Sequence, residues 1–125
     1  MAITQHKTAR TDDGKAGIIS LGTYVSGSSI YLDCDYETYP GYNTNLGYNV
    51  TGEVQKWNGS FWEFVEKKSS WFTASSRVTL GFHNYGKYGN TLRVKVSMRR
   101  GMYAGYSMDV FNEPTRTRYM PPFKM

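Results

Sequence analysis

Cysteine is almost missing. Cys34 is the only one in 125 residues, so an internal disulfide and a cysteine-rich zinc site are both excluded. Histidine is as scarce: His6 and His83 are too few for a metal cluster. No apolar run reaches the roughly 20 residues of a membrane-spanning helix. The first 25 residues also lack the apolar stretch of a secretory signal, which fits a mature secreted chain equally well. Helical periodicity of 3.6 residues is sustained nowhere, and no repeat recurs at a solenoid spacing. Apolar residues at 39% and charged residues at 20% exclude a disordered tail and a coiled coil. What is abundant is aromatic: 11 Tyr, 6 Phe and 3 Trp.

The remaining periodicity is that of strands. Ile30, Leu32, Cys34 and Tyr36 alternate with Asp33, Asp35 and Glu37, which predicts an extended segment over 30–37 with one dry and one acidic face. Leu92, Val94, Val96 and Met98 alternate with Arg93, Lys95, Ser97 and Arg99, a second such segment with a basic wet face. Weaker alternation runs through Ile19, Leu21 and Val25, through Val78, Leu80 and Phe82, and through Tyr106, Met108 and Val110. Two further runs, Val50–Trp57 and Phe61–Glu66, flank Asn58-Gly59, a strong hairpin signal because both residues tolerate positive φ. The loop length there is open: two residues would pair Trp57 with Ser60, and a bulged three-residue loop would pair it with Phe61. About seven strands with turns every 8–14 residues predict an all-β fold, a single antiparallel β-sandwich of immunoglobulin or fibronectin type III style. A small closed barrel is the runner-up.

The organisation expected is a flexible N-terminal arm over 1–16, a sandwich over 17–112, and a basic, proline-containing tail over 113–125. The tail carries Pro114, Pro121 and Pro122, which remove ladder donors. Net charge is +5 and all of it lies late: from residue 93 onward seven basic residues face two acids, while residues 1–92 balance. The acidic and basic stripes are expected to lie side by side and pair across strands.

Catalytic chemistry finds few candidates. Cys34 sits among acids on a dry face, where burial and negative charge oppose thiolate formation. No nucleophile elbow accompanies His83, and no Walker or dinucleotide glycine pattern is present. The strand spacing of Asp33, Asp35 and Glu37 is too wide for one calcium ion. The chain is therefore expected to be no enzyme and to need no cofactor or metal.

Binding has better support. Tyr39 and Tyr42 flank Pro40-Gly41 in a loop, and Arg99, Arg100, Met102 and Tyr103 surround Gly101. In an immunoglobulin-like sandwich these two loops share a pole. Tyr, Met and Arg are enriched at interfaces, so Tyr39, Tyr42, Arg99, Arg100, Met102 and Tyr103 form the expected binding site for a protein or carbohydrate surface. Tyr85 and Tyr88, with Gly86 and Gly89 beside them, offer sugar-stacking rings at the opposite pole. Nucleic acid is disfavoured because the first 92 residues carry no net charge.

Val54-Gln55-Lys56, Asn58-Gly59-Ser60-Phe61-Trp62, Val65, Trp71 and Leu92-Arg93-Val94-Lys95-Val96 together resemble a class of small secreted immunoglobulin-like β-sandwich domains of Gram-positive bacteria. The resemblance spans about residues 17–112 and implies an extracellular or cell-surface, non-catalytic module. It carries over no site residues, and Cys34 and the basic tail depart from it. The rival expectation is a phage or virion structural component, self-assembling through its terminal arms.

Overall fold

A computed structural model describes residues 3–85 and 90–125, with side chains from residue 9 onward. Within them the chain is all-β, and two antiparallel sheets pack face to face as a sandwich. The strands are β1 (Ile3–Asp12), β2 (Gly17–Ser26), β3 (Ser29–Thr38), β4 (Leu46–Trp57), β5 (Trp62–Thr73), β6 (Val78–Phe82), β7 (Thr91–Tyr103), β8 (Met108–Val110), β9 (Arg116–Tyr119) and β10 (Phe123–Lys124). The first sheet has the order β1-β2-β3-β6. The second has the order β10-β7-β4-β5, with β8 and β9 also on β7. Immunoglobulin constant-type domains send their third strand to the opposite sheet. Here β3 stays beside β2, so the strand order differs from the constant-type one.

The two alternating segments supply the middle of the core. Ile30, Leu32 and Cys34 of β3 are wholly buried, and Val94 and Val96 of β7 meet them from the other sheet. Each fully buried aliphatic side chain contributes about 1.5–3 kcal/mol, so these pleats decide which face of each strand turns inward.

Both presumed ends belong to the sheets. The expected arm contributes β1, paired with β2 from Ile3 to Asp12. The expected tail contributes β9 on Lys95–Met98 and β10 on Thr91–Leu92. With β8 on Gly101–Tyr103, residues 108–124 form one interrupted edge strand along β7. Pro114, Pro121 and Pro122 fall in its interruptions and so cost no ladder bond. Met120, Phe123 and Met125 enter the core from it.

Two further expectations change. The acidic stripe of β3 and the basic stripe of β7 lie in different sheets and face opposite ways, so they do not pair. The hairpin follows neither two- nor three-residue spacing: Trp57 pairs with Trp62 across a four-residue loop. Asn58 Oδ1 accepts from the backbone N–H of Ser60 and Phe61, and Gly59 takes φ +101°, which a Cβ would oppose.

Candidate functional site

The six residues singled out from the sequence do converge on one end of the sandwich, but they do not form one surface. Tyr39 and Tyr42 lie in the β3–β4 loop. Tyr103 reaches that loop through its N–H, which donates to Asn45 O at 2.9 Å. However, Gly101 is no loop: β7 runs through it to Tyr103, and a Cβ there would lie 2.4 Å from Asp109 O of the adjoining β8. Strand alternation therefore divides the set. Arg99 and Tyr103 point to the outer face of the second sheet, while Arg100 and Met102 point inward.

The inward group is engaged in holding the pole together. Arg100 makes a forked pair with Glu113, at 3.1 and 2.6 Å, and stacks on Phe111 at 4.6 Å. That hydrogen bonding holds the Glu113 carboxyl below its ordinary range. Met102 packs against the core. Tyr39 donates to the Asp12 carboxylate, which raises the phenol's pKa and lowers that of Asp12. Tyr42 alone of this loop pair is about half exposed.

Beneath them sits Asp13, which the sequence placed in the arm. It is buried, accepts from the phenols of Tyr36 and Tyr48, and accepts from the N–H groups of Lys15, Ala16 and Gly17. Burial raises its pKa, but these donors outweigh burial and hold it at about 2. Arg116 donates to the carbonyl of the same residue, so β9 is tied to the β1–β2 turn.

At the opposite pole Tyr85 is fixed rather than free: its hydroxyl donates to Glu66 at 2.7 Å. Tyr88, Gly86 and Gly89 lie outside the described residues. Cys34 is fully buried, and burial pushes its thiol up to about 12. His83 Nδ1 meets the Ser29 hydroxyl at 2.9 Å.

The outer face of the second sheet carries what the sequence reading missed. Pairing of β7 with β4, of β4 with β5 and of β7 with β9 places Arg93, Gln55 and Phe64 in one row, with Tyr119 one step along. The Arg93 guanidinium lies 4.2 Å from the Trp62 ring and 4.3 Å from the Tyr119 ring, and its Nε donates to Gln55 Oε1 at 2.8 Å. Gln55 in turn donates to Glu53 at 2.6 Å. Trp57, next to Trp62 at 5.4 Å, is 40% exposed, Phe64 is 60% and Tyr119 is 50%. On β5 a bulge at Val65, opposite Val54/Gln55, turns Trp62 and Phe64 outward and leaves Val65 exposed as well, whereas Trp57 and Tyr119 face outward by the alternation of β4 and β9. At the far end of the same face Trp71 and Tyr103 stack at 4.6 Å, with Gly47 and Gly101, which have no side chains, in the row between them.

The middle of the face is polar. Thr117, Ser97, Thr51 and Ser69 occupy one row across four strands, and the hydroxyls of Thr51 and Ser69 lie 2.7 Å apart. A cavity of about 220 Å3 opens there, lined by Asn49, Thr51, Ser97, Met98, Arg99 and Thr115. A smaller, mostly apolar cavity of about 120 Å3 lies elsewhere, where Arg116 and Arg118 overhang Ile19 and Leu21 between the sheet edges.

Compared with models of protein families, with curated proteins and with solved structures, the chain matches none.

Proposed function

We propose that this chain is a non-enzymatic interaction module, secreted or surface-exposed, that contacts a protein or glycan through the outer face of its second sheet. The observation that carries the reading is the Trp62–Arg93–Tyr119 stack with Trp57 and Phe64 exposed beside it. Trp, Tyr and Arg dominate binding hot spots because each removes a large area from water while keeping a polar end. Each cation–π contact at a wet site is worth about 0.5–1 kcal/mol, and the Gln55 bond fixes the guanidinium further. A partner meeting this face orders few side chains, so less of its contact energy is lost to rotamer entropy. The tyrosine loop expected from the sequence is the weaker candidate, since Tyr39, Arg100 and Met102 already have partners inside the molecule.

The rival reading, a virion component gripping neighbours by its arms, lacks the arms that suggested it, because residues 3–12, 116–119 and 123–124 are strands of the molecule's own sheets.

Amide spectra of isotope-labelled protein, titrated with soluble polysaccharides and with display-selected peptides, test the proposal. Shifts are expected on the outer rows of β4, β5 and β7, and Trp57→Ala with Phe64→Ala should abolish them while Tyr42→Ala leaves them unchanged. Shifts confined to the 39–45 loop would overturn the assignment.

A further inference from the structure

Resting on that reading, we propose that the outer face of the second sheet binds an extended acidic glycan, a sugar chain bearing carboxylate groups. Three features of the face converge on this chemistry.

The first is its layout. Six residues of β4 separate the Gln55 row from the Asn49 row, about 20 Å at roughly 3.4 Å per residue. Aromatic rings stand at both ends of this length, Trp57, Trp62 and Phe64 at one and Trp71 and Tyr103 at the other, with hydroxyl groups between them. A chain of sugar rings has apolar C–H faces that pack on aromatic rings and an equatorial rim of hydroxyls, and the face offers both surfaces in that alternation.

The second is the cavity. Its polar lining is Asn49, Thr51, Ser97, Thr115 and Arg99. Hydroxyl and amide groups both donate and accept, as sugar hydroxyls do. At about 220 Å3 the cavity is smaller than a drug-sized pocket and suits one ring of a chain that continues on either side. Arg99 donates to Phe111 O at 3.1 Å. The ion pairs among the described residues, Arg10–Glu37 and Arg100–Glu113, leave its guanidinium without a carboxylate partner. A planar carboxylate is the group its fork matches best.

The third is charge. Arg93, Lys95, Arg99, Lys67 and Lys124 share this face with Glu53, five cations against one carboxylate, a net of +4. An acidic chain is therefore drawn to this side. Single-stranded nucleic acid is also acidic, but it needs rings with free faces and cations that follow each phosphate. Here Trp62 and Tyr119 each give a face to Arg93, Trp71 and Tyr103 cover one another, and the central row is Thr and Ser. A sugar uses the one remaining ring face and the hydroxyl row together.

The test is a calorimetric titration of the full chain at about physiological salt. The probes are oligogalacturonate, its methyl ester, alginate oligomers, an oligothymidylate and polyglutamate. Amide spectra locate each contact. Binding of at least one of the two uronate chains is expected, at least tenfold tighter than the methyl ester and than polyglutamate. R99Q should cost about tenfold and T51V a smaller factor, both with an unchanged melting midpoint, and R99K should recover only part of the loss.

Equal binding of the ester removes the carboxylate from the proposal. Equal binding of polyglutamate reduces it to bulk charge, and tighter oligothymidylate binding on the same face makes this a nucleic-acid surface. Each of these overturns the glycan while leaving the interaction face standing. No uronate binding, with no probe or selected peptide shifting the face, overturns both.

Discussion

A single carboxylate organises one end of this molecule. Asp13 lies in a turn where burial alone would raise its pKa, yet five donors lower it to about 2, from an ordinary 3.8. The folded state thus binds this proton less readily than the unfolded chain does. The resulting stability is fully present above about pH 4 and is lost as pH falls toward 2. By the usual conversion it amounts to about 2 kcal/mol. Asp13→Asn should lower the unfolding free energy by that order at pH 7 and flatten the pH dependence between 4 and 2 in denaturant titrations. A mutant curve parallel to wild type across that window would show that the charge is not what stabilises the turn. Thr23 is the opposite case. It is fully buried between the sheets, and among the described residues its hydroxyl has no hydrogen-bond partner. Thr23→Val keeps the shape and removes that desolvation cost, so the melting curve should show a gain of about 1 kcal/mol.

At the scale of elements, β7 explains why a plausible site came apart. Arg99-Arg100-Gly101-Met102-Tyr103 reads as a loop because glycine interrupts the pattern, whereas this glycine admits the backbone of β8. Once the segment is a strand, neighbouring residues must face opposite ways. The interrupted strand β8–β9–β10 has the same origin. Its prolines signal a break, and there are breaks, but between them four- and two-residue pieces pair with β7. Met120 is 1% exposed in this stretch. Met120→Ala should therefore cost about 2–5 kcal/mol in chemical denaturation, the range for a core methionine. A loose tail would show no change. In the β4–β5 hairpin, Gly59→Val should cost about 1–3 kcal/mol, because the backbone there lies at positive φ.

Over the whole molecule the sandwich separates charge. Asp33, Asp35 and Glu37 face outward from the first sheet, and Arg93, Lys95 and Arg99 face outward from the second. Positive charge is therefore concentrated on one side of the molecule. Lys95→Gln with Lys67→Gln should lower the salt needed for elution from a cation exchanger by more than two neutralisations at Lys15 and Arg77, which lie in turns at one pole. Equal shifts for the two pairs would mean that the charge acts as a diffuse total.

Alternation alone determined that this chain is all-β, that 30–37 and 92–99 each turn one side to a core, and that Cys34 is buried. Those facts depend on period-two burial, which is local and written into neighbouring residues. Tertiary structure decided the rest. The ends read as loose because their apolar residues, Met120, Phe123 and Met125, are few and spaced by prolines, and only the waiting edge of β7 makes their burial worthwhile. The aromatic face was hidden for a related reason. Trp62, Arg93 and Tyr119 are far apart along the chain, and no pattern in any one strand reveals which strand will lie beside it.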